Sequence, residues 1–372
     1  MPKLLYLVTE DWFFVSHFLP MARTARAAGF EVVVATRVRE HAARIEAEGC
    51  RVVPLEGERR SLGVFEALRG FLRIVSIVRA ERPDLVHCIA LRMVALGGLA
   101  ARAGGVRRLV LAPTGLGLLW SENGMSHRVA RAALRGIIGR WLRGEHTRYL
   151  FENTDDPREF GLENSPAVTI VPGAGVDPQH YPPSPEPPAP PLKVAVVARM
   201  IEAKGIADAV AAVRRARELG PPVELDLYGA PDPSNRRSCR EADLRQWSTE
   251  PGIRWHGPTA DVAAVWRTHH VAMLLTWYRE GLPRSLIEAA ACGRPIVTTD
   301  SPGCRDLVRD RQEGMLVPLR DVEAAARALV ELASDAELRA RLGRAALTRF
   351  VERFTEAEVR RRVGSVYAAF DL

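Results

Sequence analysis

Cysteine is scarce in this sequence, and its few copies follow no metal-binding or disulfide pattern. The five cysteines are scattered over 372 residues, and no two of them stand in CxxC spacing. No Asp-x-Asp pair and no cluster of metal-binding side chains is evident either. Neither a zinc site nor a disulfide framework is therefore indicated, and a reducing cytoplasm fits this cysteine usage best.

Long apolar stretches are also absent. The N-terminal sequence MPKLLYLVTE has too few consecutive apolar residues for a signal peptide, and no uninterrupted apolar run reaches the length that spans a bilayer. We therefore expect a cytoplasmic protein that is either soluble or attached to a membrane surface. Lysine is rare, but arginine raises the basic residues to 52 against 45 acidic ones. The net charge of +7 favours anionic partners such as phosphorylated substrates, membranes or nucleic acid.

Short strand-like runs alternate with longer helical patterns along both halves of the chain. In the first half, the predicted strands are 3–8, 31–35, 85–89, 108–112 and 149–152. In the second half, they are 193–197, 224–228, 253–256, 271–275 and 295–299. This alternation predicts parallel sheets covered by helices on both faces. Because the chain is too long for most single cores, we expect an α/β protein with two doubly wound domains.

A proline-rich segment, PPSPEPPAPP at 182–191, separates the two series of strands. Because proline leaves few donors for a sheet and favours an extended chain, we interpret this segment as a stiff linker. The predicted domains are then 1–181 and 192–354, with a final helix within 355–372 that packs back toward the first domain. The carboxyl ends of both sheets would face a cleft between the domains.

Candidate binding residues follow the strands of the second half. Arg199 and Lys204 come after its first strand, where two cations suit a diphosphate, although each alone is more typical of a solvated loop charge. Further along, Pro283 fits the first turn of a helix and leaves the backbone N–H groups of Arg284 and Ser285 for an anion. These features predict an anion site at the strand ends of the second domain.

Two glutamates occupy the same region, in YREGLPRSLIEAAACGRPIVTTD at 278–300. Glu280 precedes the predicted helix, and Glu288 falls within it. The apolar neighbours of Glu288 indicate that its charge needs a partner, whereas a surface helix charge is the alternative. A carboxylate is a good acceptor for the hydroxyl pair of a ribose. We therefore expect one glutamate to contact a sugar and the other a ribose.

Several segments together resemble the retaining, nucleotide-sugar-dependent glycosyltransferases of family four, which have the GT-B fold of two Rossmann-like domains. The segments are ARMIEAKG at 198–205, the segment 278–300, VTIVPGAGVDPQHY at 168–181 and the final helix from Glu356. The resemblance implies that the donor site needs no cofactor and no metal ion. It also implies that a leaving phosphate helps to deprotonate the acceptor, so we assign no general base.

The same resemblance implies a role for each matching residue of the second domain. Arg199 and Lys204 would bind the donor diphosphate, and together with Glu280, which contacts the donor sugar, they form the predicted catalytic set. Glu288 would bind the ribose. The rest of the predicted donor site is the backbone that meets sugar or phosphate, formed by Gly281, Leu282, Pro283 and Arg284.

The first domain resembles those family members that build lipid-linked oligosaccharides and surface polysaccharides. The segments that carry this likeness are 14–32, 86–110 and 112–120. The resemblance implies transfer of a hexose or N-acetylhexosamine from a nucleotide sugar, most simply a UDP-sugar, to a lipid-linked saccharide with retention of configuration. Such an enzyme would work at the cytoplasmic face of the membrane.

The chain departs from the family pattern at one position. Where many members carry a histidine after the strand 108–112, this chain has Pro113 and Thr114. The candidates for the missing acceptor or catalytic contact are His17, His87 and Thr114. A structural role inside the fold is the alternative for each of the two histidines.

A basic segment of the first domain suggests a membrane contact. Residues 126–148 place Arg128, Arg131 and Arg135 at helical spacing among apolar residues. A basic amphipathic helix of this kind suits an anionic bilayer that carries a lipid-linked acceptor. An ordinary packed helix with a solvated arginine face is the alternative, because its sequence pattern would be the same.

Two other classes of protein are compatible with parts of the sequence. A sugar-nucleotide 2-epimerase of the GT-B fold would share the donor site, but it would work without an acceptor. A nucleic-acid-binding protein would account for the positive charge, but aromatic residues are not interleaved with the arginines and no nucleic-acid motif occurs. Transfer of a sugar to an acceptor is therefore the favoured hypothesis.

Overall fold

The chain divides into two compact units in the structure, a computed structural model that describes residues 1–55 and 64–372. The first unit comprises Met1–Gly175 together with Glu356–Leu372, and the second is Val176–Thr355. The predicted boundary after residue 181 was therefore placed six residues too late. The segment 182–191, which we interpreted as a linker, belongs to the second unit.

The first unit contains one parallel sheet of seven strands. The strands are β1 Lys3–Glu10, β2 Glu31–Arg37, β3 Arg51–Pro54, β4 Leu85–Ile89, β5 Leu109–Ala112, β6 Thr147–Phe151 and β7 Val168–Ile170. The α-helices are α1 Asp11–His17, α2 Leu19–Ala27, α3 Ala42–Ala47, α4 Val64–Glu81, α5 Leu91–Ala103, α6 Leu118–Ser121 and α7 Met125–Gly136. A π-helix, Ile137–Trp141, continues α7, and a 3-10 helix, Asp156–Phe160, follows β6. The strand order is β3-β2-β1-β4-β5-β6-β7.

Helices cover both faces of this sheet, and the residues of β1 show why. Leu4 and Tyr6 pack into the core on one face, whereas Leu5 and Leu7 pack into the core on the other. All four residues are completely buried. A strand that is apolar on both sides can lie only between two layers of helices, so these residues explain the three-layer arrangement.

The second unit contains a parallel sheet of six strands with the same winding. Its strands are β8 Leu192–Val197, β9 Val223–Tyr228, β10 Ile253–Gly257, β11 Val271–Leu274, β12 Ile296–Thr299 and β13 Gly314–Val317. Its helices are α8 Ile206–Glu218, α9 Glu241–Trp247, α10 Val262–Thr268, α11 Arg284–Ala291, α12 Cys304–Leu307, α13 Val322–Ser334 and α14 Ala336–Arg353. The strand order is β10-β9-β8-β11-β12-β13. The predicted α/β class with two doubly wound parallel sheets is confirmed.

The last helix, α15 (Glu356–Ala368), packs against the first unit. Its Tyr367 is 1% exposed, and the Tyr367 hydroxyl lies 2.6 Å from the hydroxyl of Tyr6 and 2.9 Å from Nδ1 of His87. This buried chain of hydrogen bonds joins α15 to the two central strands β1 and β4. Burial lowers the pKa of His87 to about 3, so this imidazole is neutral in the folded protein at neutral pH.

We expect His87 to make the first unit sensitive to acid. The unfolded chain binds a proton at this imidazole near pH 6.5, whereas the folded protein binds it only near pH 3. The free energy of unfolding should therefore fall by about 1.4 kcal/mol per pH unit as the pH decreases through this window. Denaturant unfolding between pH 6 and 4 should show a shallower dependence for His87→Phe. Equal slopes in both proteins would contradict this assignment.

The proline-rich segment is held against the second unit by a buried arginine. Arg294, which is 1% exposed, donates from Nε to the carbonyl oxygen of Trp266 at 2.7 Å. The same guanidinium donates to the carbonyl oxygens of Ser184 and Pro185, each at 2.9 Å. Burial lowers the pKa of this guanidinium from its usual value. Interior hydrogen bonds rather than a free extended chain therefore fix the beginning of this segment.

Two further contacts fix the middle of the same segment. His270 Nε2 donates to the carbonyl oxygen of Pro187 at 3.0 Å, while its Nδ1 accepts from the backbone N–H of Lys193 at 2.9 Å. Glu186 pairs with Arg339 at 3.4 Å. The expected stiff linker is thus a strap on the surface of the second unit, which corrects the interpretation made from its proline content.

The basic segment 126–148 is helical over only part of its predicted length. The helix α7 and the π-helix after it end at Trp141, and Arg148 lies in strand β6. Within residues 1–55 and 64–372, no helix combines the length and the apolarity that are needed to cross a membrane.

Candidate functional site

The sheet of the second unit reverses its winding direction between β8 and β11. These two strands are neighbours, but the chain continues from β8 toward β9 on one side and from β11 toward β12 on the other. Loops that leave adjacent strands in opposite directions open a crevice at the carboxyl edge, where α/β proteins bind ligands. Lys204 ends a short 3-10 helix, Glu202–Lys204, in the connection after β8, and Glu280 lies in the loop after β11. Both predicted residues therefore border this crevice.

Two glycines bring the loops around this crevice into close contact. A Cβ atom on Gly205, whose φ is +69°, would lie 2.0 Å from the carbonyl oxygen of Leu275. A Cβ atom on Gly303, whose φ is +82°, would lie 2.1 Å from the carbonyl oxygen of Gly281. No other residue fits at these positions without moving the backbone. Gly303 was not singled out from the sequence, although its place after β12 in SPGC was a turn signal.

Lys204 and Glu280 form an ion pair at the centre of the site. Lys204 Nζ lies 2.6 Å from Glu280 Oε1, and the two side chains are 14% and 11% exposed. The hydroxyl of Thr276 lies 3.0 Å from the same carboxylate oxygen, and it also lies 2.9 Å from the carbonyl oxygen of Ala203. Thr276 thus joins the two loops, and spacing alone could not have revealed it. The pair holds a cation and an acceptor side by side at the mouth of the crevice.

Glu288 lies one turn further into α11 and is also buried. Its Oε1 accepts from Arg284 Nε at 2.8 Å and from the hydroxyl of Tyr181 at 2.9 Å. Burial raises the pKa of the Glu288 carboxyl, and Arg284 and Tyr181 offset only part of this effect. The apolar surroundings predicted a partner for this charge. The structure supplies two partners, of which Tyr181 was not predicted.

The predicted second phosphate contact, Arg199, pairs with an acid in the structure. Arg199 Nη1 lies 2.7 Å from Asp232 Oδ2, and the arginine side chain is 38% exposed. Burial alone would raise the pKa of the Asp232 carboxyl, but hydrogen bonds from Ser234 and Arg199 outweigh burial and lower it. Arg199 is therefore tied to the loop after β9, and Asp232 is a neighbour that sequence reasoning missed.

The turn that opens α11 carries the other predicted donor-site residues. Pro283 has φ −66°, and its carbonyl oxygen accepts from the backbone N–H groups of Leu286 and Ile287. No side chain caps this end of the helix. Leu282 is 8% exposed and packs into the core beneath the turn, while Gly281 lies against Gly303. The turn therefore presents backbone amides at the carboxyl edge of the sheet, which favours an anion there.

The two histidines proposed for the first unit lie in different environments. His17 ends α1, is half-buried and has Nδ1 2.6 Å from the hydroxyl of Ser16. His87 is completely buried in β4 and bonded to Tyr367, which is the environment of a structural histidine. We therefore retain His17 as a candidate for the acceptor site and do not retain His87.

Thr114 has a backbone conformation that is rare for a branched residue. Its φ is +56°, and Gly115 and Gly117 after it also have positive φ. This loop follows β5 at the carboxyl edge of the first sheet. At the carboxyl end of the neighbouring β4, Ala90 also has a positive φ of 68°. Strained backbone of this kind persists where the surrounding structure holds it, and it concentrates at ligand sites.

The three arginines predicted to contact a membrane lie on α7 and point in different directions. Arg128 is exposed, whereas Arg131 donates to the carbonyl oxygen of Glu122 at 2.9 Å. Arg135 forms an ion pair with Glu159.

No group of three histidine, cysteine, aspartate or glutamate side chains that could hold a metal ion occurs among the residues that the structure describes.

Comparison with known proteins links both units to one kind of enzyme. Residues 3–140 match the family model "Glycosyl transferase 4-like", and residues 191–335 match "Glycosyl transferases group 1". The N,N'-diacetylbacillosaminyl-diphospho-undecaprenol alpha-1,3-N-acetylgalactosaminyltransferase of Campylobacter jejuni is 21% identical over 346 residues, which are 89% of either chain. The capsular polysaccharide biosynthesis glycosyltransferase CapM of Staphylococcus aureus is 25% identical over 177 residues, 48% of this chain and 46% of CapM.

Solved structures share the fold over the whole chain. Anabaena HepE, whose crystal structure is a complex with UDP-glucose, matches 99% of this chain and 100% of its own with a TM-score of 0.77. Its sequence identity to this chain is 16%.

Proposed function

Since this chain is a glycosyltransferase of the GT-B fold, we propose that it moves a hexose or N-acetylhexosamine from a UDP-sugar to a lipid-linked saccharide. The observation that carries this proposal is the Lys204–Glu280 pair at the winding reversal of the second sheet. The undecaprenol-linked acceptor in the name of the Campylobacter relative supports the acceptor class. The names of CapM and the HepE complex support polysaccharide biosynthesis and a UDP-linked donor.

Within this proposal, each residue of the second unit has a physical task. Lys204 and the N-terminus of α11 would face the diphosphate, because a cation and aligned backbone amides both attract an anion. Arg199 would join them by leaving Asp232 when the diphosphate arrives. Glu280 would accept from hydroxyl groups of the sugar, and Glu288 would accept from the ribose.

Charge compensation by these side chains is also the reason that we propose catalysis without a metal ion or cofactor. The bond between sugar and diphosphate breaks with growing negative charge on the diphosphate, and fixed donors stabilise that charge without reorganisation. Retention of configuration would follow if the acceptor attacks on the side of the leaving group, whose oxygen takes the acceptor proton. Full activity in the presence of EDTA is the expected result.

A donor and acceptor panel tests the function as a whole. The protein would be incubated with UDP- and GDP-sugars, each with and without a polyprenyl diphosphate saccharide, and the products would be separated by mass. Transfer that requires both the UDP-sugar and the lipid-linked saccharide supports the proposal. Isomerisation of the donor without an acceptor would instead identify a sugar-nucleotide epimerase.

The two glutamates should differ in what they bind. We expect Glu288→Gln to weaken binding of UDP by about tenfold or more, because a hydrogen bond to a charged acceptor contributes about 1.5–3 kcal/mol. Glu280→Gln should leave UDP binding unchanged and lower kcat/KM for the UDP-sugar. Calorimetric titration with UDP, followed by steady-state kinetics, measures both effects. The same loss of UDP affinity in both variants would contradict this division of roles.

A further inference from the structure

Helix α7 exposes apolar side chains where a solvent-facing helix is ordinarily polar. Met125 is 71% exposed and Val129 is 63% exposed, and Ala132 and Ala133 are exposed one turn later. None of the residues of α7 is buried. The helix packs on its inner side, where Leu134 and the following Ile137 contact the core of the first unit. Its outer side still exposes apolar side chains, which an ordinary packed helix would replace with polar ones.

The π-helix after α7 brings a tryptophan to the same side. In an uninterrupted α-helix, Trp141 would lie about 120° away from Val129, since successive residues are about 100° apart. The backbone N–H of Leu142 instead bonds the carbonyl oxygen of Ile137 at 2.8 Å, five residues back, so the turn contains one extra residue. The wider turn brings Trp141 back toward the side of Val129. Trp141 is 70% exposed, whereas Ile138 is completely buried.

Basic side chains surround this apolar stripe. Arg128, Arg140 and Arg143 are exposed, and none of the three forms an ion pair within the described ranges 1–55 and 64–372. Arg131 and Arg135, by contrast, are engaged with Glu122 and Glu159. Of the three arginines predicted from helical spacing, only Arg135 is neutralised by an acid among the described residues, and Arg140 and Arg143 add exposed positive charge beyond that set.

A second helix over the same face of the first sheet also exposes apolar and basic side chains. On α4, Leu68 is 53% exposed and Leu72 is 57% exposed, and Arg69 and Arg73 beside them are exposed as well. The inner residues of α4 and of the π-helix belong to one core cluster, on one face of the sheet. Both helices therefore cover the same face of the first sheet, and their outward apolar residues point away from that face.

From these observations we propose that this side of the first unit docks on an anionic lipid bilayer. Met125, Val129 and Trp141 enter the boundary between headgroups and acyl chains, where tryptophan is favoured. The exposed arginines contact lipid phosphates. The surplus of arginine around an apolar stripe favours an anionic bilayer over a protein partner, because each basic residue near such a surface adds attraction. The inference deepens the proposed function and rests on it for one point, that the acceptor is lipid-linked.

Vesicle sedimentation with matched variants tests the proposal. The protein, without donor or acceptor, is mixed with vesicles of phosphatidylcholine alone or with added phosphatidylglycerol, at low and at raised salt. The wild-type protein should sediment with the phosphatidylglycerol vesicles at low salt, and raised salt should release it. Val129→Glu should lower the partition coefficient at least about tenfold, and the pair Arg128→Gln with Arg140→Gln should lower it by a similar factor.

The matched control is Val351→Glu on α14 in the second unit. Val351 is 59% exposed on a helix, close to the exposure of Val129, so the same substitution adds the same charge elsewhere. This variant should bind vesicles as the wild-type protein does, and UDP titration should show that both valine variants are folded. Equal losses in both variants, or no binding by the wild-type protein, would overturn the proposal. A dimer of the wild-type protein that Val129→Glu converts to a monomer would overturn it as well, because the surface would then join two copies of this chain.

Discussion

Replacing Lys204 with methionine is expected to lower kcat by about 10²–10³-fold, the usual effect of removing one preorganised donor from a site where negative charge develops. Lys204 Nζ lies 2.6 Å from Glu280 at the winding reversal of the second sheet. Under the proposed function, it meets a diphosphate whose charge grows as the sugar departs. An interaction that strengthens toward the transition state affects kcat more than substrate binding. Steady-state kinetics over a range of UDP-sugar concentrations separates these two effects.

The fall of kcat in Lys204→Met has to be distinguished from a loss of folding stability. Lys204→Met leaves Glu280 with an 11% exposed side chain and no cation, and breaking a pair this buried costs about 3 kcal/mol or more. The double variant Lys204→Met with Glu280→Gln removes both charges, so it should regain most of the stability but none of the turnover. Lys193→Met serves as a lysine control in the same unit. Near-normal kcat in the single variant, or recovery of kcat in the double variant, would refute the assignment of Lys204.

The sequence pattern predicted the centre of both sheets better than their edges. Each predicted strand is present with ends shifted by at most two residues, because central strands are apolar runs bounded by turn residues. Three strands were not predicted: β3, β7 and β13. All three are short and lie at the edges of their sheets, and the residues of β3 and β7 are not buried. An edge strand of three or four residues has too few alternating positions to give a signal.

The candidate site was predicted in outline because its residues follow strands in a recognisable order. The sequence pattern could not predict the hydrogen-bond partners that fix these side chains. Thr276 touches Glu280, Tyr181 touches Glu288, and Asp232 touches Arg199. Tyr181 and Glu288 are 107 positions apart, and contacts of this separation leave no local trace in a sequence. The burial of His87, by contrast, has a local signal, because His87 lies within the apolar run LVHCI of β4.

The proline content of residues 182–191 correctly predicted that they form no strand, but the interpretation of this segment as a free linker was wrong. Proline does keep residues 182–191 out of both sheets, but the donors that fix the segment come from Arg294, His270 and Arg339 far along the chain. Arg294 is only 1% exposed, and its guanidinium donates to the carbonyl oxygens of Ser184, Pro185 and Trp266. Those three oxygens would lose their donor together if Arg294 were changed.

Replacing Arg294 with methionine is therefore expected to lower the free energy of unfolding of the second unit by about 3–5 kcal/mol. Hydrogen bonds that involve a charged group contribute about 1.5–3 kcal/mol each, and unpaired buried carbonyls add a desolvation cost. Removing a buried charge recovers part of that energy, because burial disfavours the guanidinium and lowers its pKa. Denaturant unfolding followed by tryptophan fluorescence measures the result. The control is Arg214→Met, which breaks an ion pair with Glu250 whose arginine is 45% exposed and should cost about 1 kcal/mol or less.

The same variant connects the strap to the donor site. Ser184 and Pro185 follow Tyr181 closely, and the Tyr181 hydroxyl lies 2.9 Å from Glu288 Oε1. Once Arg294 no longer fixes the strap, Tyr181 loses its position, so UDP binding should weaken in Arg294→Met but not in Arg214→Met. Calorimetry on protein below its unfolding temperature separates this effect from partial unfolding. A stable Arg294→Met protein, with wild-type unfolding and wild-type UDP affinity, would show that the strap stays in place through its proline residues alone.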